Sequence, residues 1–172
     1  MTAHDEADHP PTFAIIGAGM SGILAGVRLT EAGLPFTIFE KADRVGGTWR
    51  ENTYPGIACD VPSHIYSYSF ELNPEWSHYC SPGAEIQGYF ESVAAKHELV
   101  EQIRFGDAVV RAEWLDGRWQ IETAAGFVES YDWVVAATGI LHQPKMPEIE
   151  GFASFSGPMF HSARWDHSVE LE

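Results

Sequence analysis

The chain has 172 residues, of which 45% are hydrophobic and 20% charged, a composition typical of a globular domain with its own core. Ten Lys and Arg against 25 Asp and Glu give a formal net charge of −15 at pH 7. This balance argues against nucleic acid or an anionic membrane surface as the main partner, because phosphate-rich surfaces are bound by dense basic side chains. It is compatible with one bound phosphate ligand, since backbone amides can hold it.

The sequence predicts neither a disulfide scaffold, a metal site nor a membrane span. Cys59 and Cys80 are the only cysteines and lie outside any C-x-x-C, so a reduced cytoplasmic protein is the simplest interpretation, with a single bridge left open. The uncharged stretch 12–27 contains four glycines and is shorter than the roughly 20 residues that cross a bilayer. Residues 1–11 are polar and predict a flexible leader, not a signal peptide.

The first part of the chain predicts a βαβ unit. A short apolar run over 12–17 is typical of a buried parallel strand. It leads through a glycine-rich turn into a helix that stops at Gly33. A second apolar run over 36–39 ends at Glu40, so strand, turn, helix, strand and terminal acid all fit the size of this unit.

The following residues predict a long loop, a second helix and further strands. Residues 41–83 are rich in Gly, Pro and aromatic residues, and a loop this long in a compact domain is usually functional or disordered. Its aromatic content favours function. Ser81 is the predicted N-cap of a helix with Pro82 at its first position. The remaining predicted strands are 103–110, three short strands over 112–115, 119–123 and 127–130 that turn at Asp116-Gly117, and a buried parallel strand over 133–137.

The segment Gly17-Ala-Gly19-Met-Ser-Gly22 follows the first strand and opens the first helix. In this motif Gly17 permits the tight turn, Gly19 lets the backbone approach a pyrophosphate, and Gly22 allows close packing of helix on sheet. Glu40 would accept hydrogen bonds from the ribose hydroxyls of an adenosine and disfavours a 2′-phosphate. The pattern predicts FAD or NAD rather than NADP, and the alternative is a glycine-rich turn without a ligand.

Four further stretches of the sequence favour FAD. The run Arg44-Val-Gly46-Gly47-Thr48-Trp49 resembles the second glycine pair of two-dinucleotide flavoproteins. Residues 52–70 look like the FAD domain of Baeyer–Villiger monooxygenases. The fingerprint of that family, F-x-G-x-x-x-H-x-x-x-W, is matched by Phe155, Gly157, His161 and Trp165. Ala137-Thr138-Gly139 matches the A-T-G that precedes the linker to the family's NADPH domain, and the resemblance covers about residues 12–168.

The resemblance implies an α/β fold, a Rossmann-like FAD-binding domain with a parallel sheet and a three-stranded β-meander, expected to be incomplete. The implied division is a flexible leader over 1–11, the FAD-binding domain over 12–140, and a linker over 141–172. This linker carries the fingerprint and leads towards an absent NADPH domain. The chain is thus expected to be the N-terminal FAD-binding portion of a longer monooxygenase.

The resemblance also implies a set of cofactor-binding residues and one catalytic residue. Asp60 would lie by the isoalloxazine ring and tune an arginine that stabilises a flavin peroxide. The alternatives are that Asp60 only caps a turn and that His161 is a hinge residue without a chemical role. The residues implied to contact the pyrophosphate, ribose, flavin or adenine of FAD are Gly17, Gly19, Met20, Ser21, Gly22, Glu40, Lys41, Gly47, Thr48, Trp49, Asp60, Tyr66, Val109, Ala137, Thr138 and Gly139.

For the complete enzyme the resemblance implies NADPH- and oxygen-dependent conversion of ketones to esters or lactones, with FAD supplying the reactive chemistry. The chain alone is expected to be inactive, because it has no second G-x-G-x-x-G for NADPH. The alternatives are a fragment of an N- or S-oxidising flavin-containing monooxygenase, a non-catalytic FAD-binding module, and an NAD-linked dehydrogenase domain. A complementary chain or self-association through an exposed apolar face is a further expectation.

Overall fold

A computed structural model describes residues 9–170. Most of the predicted leader, residues 1–8, and the last two residues of the predicted linker lie outside the described residues. The strands are β1 (Phe13–Ile16), β2 (Phe36–Glu40), β3 (Ile103–Phe105), β4 (Val109–Leu115), β5 (Arg118–Thr123), β6 (Val128–Tyr131) and β7 (Trp133–Ala136). The helices are α1 (Met20–Glu31), α2 (Thr48–Glu51) and α3 (Gly83–Lys96), with 3-10 turns at Leu99–Gln102, Phe152–Ser154 and Ser162–Arg164. Among residues 9–170, no helix is long and apolar enough to cross a membrane.

The centre of the fold is a four-stranded parallel sheet in the order β3-β2-β1-β7. Alternate residues of β1 and β2 face opposite sides, as the two-residue period of a strand requires. Ile15 and Ile38 belong to a core shared with α1 and α3, and Ala14 and Phe39 pack against residues of the antiparallel β4-β5-β6 meander. Both faces of the parallel sheet are therefore covered, which explains why its strands are continuous apolar stretches in the sequence. The predicted Rossmann-like sheet with a three-stranded meander is confirmed.

The long loop between α2 and α3 is fixed by a buried aromatic cluster around Tyr68. The Tyr68 ring stacks on Phe70 with centroids 5.0 Å apart and lies 5.7 Å from Phe90. Its hydroxyl donates to the carbonyl oxygen of Met20 at 2.6 Å, and its backbone N–H donates to the hydroxyl of Tyr89 at 2.8 Å. Burial raises the pKa of Tyr68 far above its usual value, so this hydroxyl stays a donor. The loop is thereby tied to the first residue of α1.

The predicted N-cap at Ser81 is wrong. The residue that caps α3 is Pro82, and the helix begins at Gly83 without a side-chain cap. The Ser81 side chain serves the loop before the helix, because its hydroxyl donates to the carbonyl oxygen of His78 at 3.2 Å. Its backbone N–H donates to the hydroxyl of Ser63 at 2.8 Å. Fully buried contacts of Ser81 within the loop thus replace the expected cap.

The predicted strand over 103–110 is two strands in different sheets. Gly106 breaks it with a φ of +68°, a left-handed conformation that glycine adopts without strain. The N–H of Gly106 donates to the carbonyl oxygen of Ala42 at 2.8 Å, and that of Asp107 donates to the carbonyl oxygen of Glu40 at 3.1 Å. These bonds hold the turn after β3 against the segment that follows β2. Val109 then begins the first strand of the meander.

Candidate functional site

Three glycine-containing segments meet where β1 and β7 end. The N–H of Gly46 donates to the carbonyl oxygen of Ala18 at 3.0 Å, which joins the second glycine pair to the first glycine turn. A Cβ at Gly17, whose φ is +101°, would lie 2.6 Å from the carbonyl oxygen of Ala137. A Cβ at Gly47 would lie 3.1 Å from the Cα of Gly19. The backbones therefore pass too closely for side chains, at the edge of the sheet where Rossmann-like folds bind ligands.

Helix α1 points its N-terminus at this junction. Its N-cap is Gly19, which supplies no side chain to bond the first N–H groups, and its first turn contains no acidic residue. The first N–H groups of a helix have no acceptor within the helix, and the macrodipole makes this end partly positive. Met20 and Ser21 are exposed here. This end of α1 can therefore bind an anion through backbone amides.

Glu40, the last residue of β2, lies beside the same turn. Its carboxylate is 5% exposed, and one oxygen accepts the N–H of Ala18 at 2.8 Å. The other oxygen accepts the N–H of Ala42 at 3.0 Å and faces a guanidinium nitrogen of Arg50 at 3.4 Å. A carboxylate offers about four acceptor positions, so one more hydroxyl can be bound. The sequence predicted Glu40 for a ribose, and this geometry suits that role.

Arg50 and Glu51 are polar residues of this site that the sequence analysis missed. Arg50 is 9% exposed and bridges two carboxylates, because its second guanidinium nitrogen lies 3.1 Å from Glu51. Glu51 in turn accepts from Lys41 at 2.9 Å and lies 3.3 Å from His142. Burial opposes ionisation of Glu51, but hydrogen bonds and charges from Lys41 and His142 outweigh it and lower its pKa. Glu40, Lys41, Arg50, Glu51 and His142 are called the charge network below. The only sequence signal for Arg50 and Glu51 was that they are adjacent and oppositely charged.

On the other side of the glycine junction, Trp49 and Tyr66 form a pair. The indole N–H of Trp49 donates to the hydroxyl of Tyr66 at 3.1 Å, with ring centroids 5.7 Å apart. Burial raises the pKa of Tyr66, the bond from Trp49 opposes the rise, and the charges of Cys59 and Asp60 add to it. Tyr66 thus keeps its proton and can act as a hydrogen-bond donor. Thr48 and Asp60 are exposed on the same part of the chain.

Val109 and the A-T-G segment complete the surroundings. Val109 opens β4, two residues after the Asp107 that bonds the backbone of Glu40, so it lies close to the predicted ribose position. Thr138 and Gly139 follow β7 and are exposed. The predicted residues therefore come from several segments far apart in the sequence that lie near one edge of the sheet.

Comparison with known proteins agrees with this geometry. Residues 15–82 match the family described as NAD(P)-binding Rossmann-like domain. The chain is 47% identical over 174 residues to a Baeyer–Villiger monooxygenase of Streptomyces coelicolor, covering 99% of this chain and 33% of that protein. It is similar to the open crystal structure of cyclohexanone monooxygenase, with a TM-score of 0.84, 35% identity, and coverage of 95% of this chain and 33% of that one. The chain is therefore similar, over nearly its whole length, to one part of these Baeyer–Villiger monooxygenases.

A further solved relative of the family was crystallised with both dinucleotides. It is OTEMO in complex with FAD and NADP, with a TM-score of 0.83 and 31% identity over 94% of this chain and 32% of that one. The chain thus spans about a third of the length of the relatives it matches. The Rossmann-like fold predicted from the sequence is confirmed, and these relatives support the resemblance to Baeyer–Villiger monooxygenases.

The family fingerprint lies in the linker, where its residues make local contacts. The Phe155 ring lies so close to Gly157 that a Cβ there would be 2.7 Å from it. His161 accepts the N–H of Ala163 through its Nδ1 at 3.0 Å and so caps a 3-10 turn. Trp165 packs edge-on against Phe160 with centroids 4.9 Å apart. In this structure the fingerprint residues make contacts within the predicted linker, and that this segment leads towards an NADPH domain stays a prediction.

Proposed function

We propose that this chain binds FAD at the carboxyl edge of its parallel sheet, as the FAD-binding part of a flavoprotein monooxygenase. The observation that supports this best is the glycine junction, where Gly17, Gly19 and Gly47 leave their backbones bare beside the N-terminus of α1. A buried carboxylate at Glu40 lies next to it. An anion-binding helix end beside a ribose-binding acid is what an adenine dinucleotide requires.

Each part of FAD has matching residues on this edge. The backbone amides of Gly19, Met20, Ser21 and Gly22 would hold the pyrophosphate, and Glu40 the ribose hydroxyls. Val109 would contact the adenine through its backbone. The flavin end would lie towards Gly47, Thr48, Trp49, Asp60 and Tyr66. Lys41, Ala137, Thr138 and Gly139 would line the rest of the cofactor site.

The fit of FAD to the site can be judged from the space that side chains would occupy. Gly19 and Gly47 approach each other so closely that a Cβ on either would lie within 3.5 Å of the other Cα. Both positions therefore keep the backbone within reach of a ligand. Trp49 and Tyr66 supply aromatic surface and a hydroxyl donor, groups that suit a flavin ring better than a nicotinamide-only site.

In the complete enzyme the proposed reaction uses a ketone, molecular oxygen, NADPH and one proton, and gives an ester or lactone, NADP⁺ and water. FAD supplies the electron transfer and oxygen activation when bound. The residues of this chain bind and orient it, and Asp60, exposed beside Tyr66, would orient an arginine from elsewhere in the enzyme. We expect the isolated chain to be inactive. A cytoplasmic location is part of the proposal, supported by two free cysteines.

Contact with another polypeptide is also part of the proposal. Ile140 is 99% exposed and Leu141 70% exposed at the start of the linker. Adjacent exposed apolar side chains of this kind favour a complementary chain or self-association.

The test is FAD binding by the purified chain and by Glu40→Gln. Flavin fluorescence quenching gives the Kd, and flavin released on denaturation is identified by chromatography. We expect Glu40→Gln to weaken binding about tenfold or more, because one charge-assisted hydrogen bond to the ribose is lost. Glu148→Gln, an exposed glutamate in the linker, is the matched control and should bind as the unaltered chain does. A folded wild-type chain that fails to bind FAD at about 100 µM contradicts the proposal.

The second candidate is an NAD site, and the match of residues 15–82 to an NAD(P)-binding family favours it. Glu40 would bind an adenosine ribose in either case, so its substitution does not separate the two. The same titration with NAD and FAD in competition does. Tighter binding of NAD than of FAD would replace the first proposal by the second, and Trp49→Leu should weaken only FAD.

A further inference from the structure

The linker reaches back to the nucleotide edge through His142. This residue follows the A-T-G segment by three positions, and its Nε2 lies 3.0 Å from the Nζ of Lys41. Its Nδ1 lies 3.3 Å from a carboxylate oxygen of Glu51. The Nζ of Lys41 is itself 2.9 Å from the other oxygen of Glu51. His142 therefore completes a triangle with one cation and one anion of the charge network.

The charge network continues without a gap from His142 to the predicted ribose carboxylate. Arg50 lies 3.1 Å from Glu51 and 3.4 Å from Glu40. The side chains of Glu40, Arg50 and Glu51 are 5%, 9% and 12% exposed, so water screens them little. Two carboxylates balance one guanidinium and one ammonium. In a buried set of this kind, the loss of one partner redistributes the others, because an uncompensated charge is costly.

The central member, Arg50, is shared by two competing carboxylates. It is nearer to Glu51 than to Glu40, 3.1 Å against 3.4 Å. Lys41 and His142 give Glu51 other partners and so leave Arg50 available to Glu40. Without His142, Glu51 would draw Arg50 further from Glu40. The orientation of Glu40 then loses its only side-chain support among the described residues and rests on the backbone amides alone.

We propose that His142 is a positioning residue that couples docking of the linker to ribose binding at Glu40. This inference rests on the proposed FAD site and adds a regulation of it. Coupling between two binding events is reciprocal. If docking of the linker strengthens FAD binding by some factor, bound FAD favours docking of the linker by the same factor. The linker is then held in place when the cofactor is present and released when it is lost.

The test uses His142→Leu, which removes both ring nitrogens and keeps an apolar side chain, and His142→Gln, which retains hydrogen-bonding atoms. Two readouts are measured on the full chain: the Kd for FAD, and the rate at which trypsin cleaves after Lys145, an exposed residue of the linker. In the wild type, FAD should slow this cleavage. In His142→Leu the cleavage should no longer respond to FAD, and the Kd should rise about fivefold. His142→Gln should restore part of both effects.

A double-mutant cycle with Glu51→Gln separates coupling from a local structural defect. Glu51→Gln removes the carboxylate that competes with Glu40 for Arg50, so if His142 acts through Glu51, adding His142→Leu to Glu51→Gln should leave the Kd for FAD unchanged. The matched control is His9→Leu, because His9 is exposed and, within residues 9–170, its side chain bonds the carbonyl oxygen of Pro10 and no other group. Thermal unfolding of each variant identifies any that fails to fold.

The outcomes distinguish the two proposals. A wild-type chain that binds no FAD overturns both. A chain that binds FAD, with the same Kd and the same protection of Lys145 in His142→Leu as in the wild type, overturns the coupling and leaves the FAD site standing. Additive losses in the double variant also overturn the coupling.

Discussion

Alanine substitutions at Gly19 and Gly22 should separate ligand binding from folding. Both glycines belong to the same turn, but their surroundings differ. A Cβ at Gly22 would collide with the carbonyl oxygen of Gly17 and lie 3.0 Å from its carbonyl carbon. A Cβ at Gly19 would lie 3.5 Å from the Cα of Gly47, an ordinary van der Waals contact. Gly22→Ala is therefore a packing defect, whereas Gly19→Ala places a methyl group where a pyrophosphate would approach.

The magnitudes follow from these contacts. The turn at Gly17 cannot move easily, because its N–H donates to the carbonyl oxygen of Phe39 at 2.8 Å. Overpacking against a fixed backbone should cost Gly22→Ala about 3 kcal/mol, which lowers the Tm of a chain of this size by about 6–12 °C. At Gly19, with φ −80°, alanine reduces the entropy of the unfolded chain but is a poorer N-cap. These effects oppose each other, so stability should change by less than about 1 kcal/mol.

Gly19→Ala should therefore have a normal Tm and a Kd for FAD that is raised about 10- to 100-fold. This increase corresponds to the loss of one charge-assisted hydrogen bond. Circular dichroism melts and flavin fluorescence titrations measure the two quantities. Gly88→Ala is the matched control, because a Cβ there meets no atom within 4 Å and lies in the middle of α3. It should stabilise slightly and leave the Kd unchanged. Unchanged FAD binding by Gly19→Ala, or a wild-type Tm for Gly22→Ala, would refute this reasoning.

Three other predictions test the scaffold and the source of binding energy. Asp132 accepts the N–H and hydroxyl of Thr12, both at 2.8 Å, and these bonds lower its pKa; Asp132→Asn should lower the Tm by about 2–4 °C at neutral pH. The difference in Tm between Asp132→Asn and the wild type should shrink as the pH falls below 3.8, because Asp132 then becomes protonated in the folded protein too. Thermal melts over this pH range measure it. Tyr68→Phe removes the bond to Met20 and should lower the Tm by about 2–4 °C; an unchanged melt counts against that anchor. Raising NaCl from about 0.05 to 0.5 M should change the FAD Kd less than about threefold in fluorescence titrations, and a tenfold weakening contradicts binding by backbone amides.

The sequence was informative about the site wherever the chemistry is local. The turn from Gly17 to Gly22 and the acid at Glu40 lie within one βαβ unit, so the spacing alone predicted their meeting at one edge. The bare backbone contact between Gly19 and Gly47 has no local signal, and the resemblance implied only that both residues contact the same cofactor. The register of β1 and β7 then brought Ala137 to the same point.

Other features could not be predicted because they depend on distant partners. Lys41 and His142 are 101 positions apart, and nothing in either neighbourhood indicates the contact. Ser81 has the residue type and the following proline of an N-cap, but buried bonds to His78 and Ser63 occupy it instead. Tertiary contacts overrode a local preference there. Gly106 could have been recognised as a break in the strand, since an isolated glycine in a strand pattern often marks a bend.

The distribution of charge at the site indicates how an anionic ligand would be bound, which the net charge of the chain does not. The basic residues closest to the predicted ribose position are engaged: Lys41 pairs with Glu51, and Arg50 pairs with both Glu51 and Glu40. Their positive charge is therefore balanced before any ligand binds. A pyrophosphate must then obtain its stabilisation from the amides and macrodipole of α1, whose first turn holds no acid. This stabilisation acts at contact distance, shorter than the Debye length of about 10 Å at 0.1 M salt, so added salt should weaken it less than it would weaken attraction by distant basic side chains.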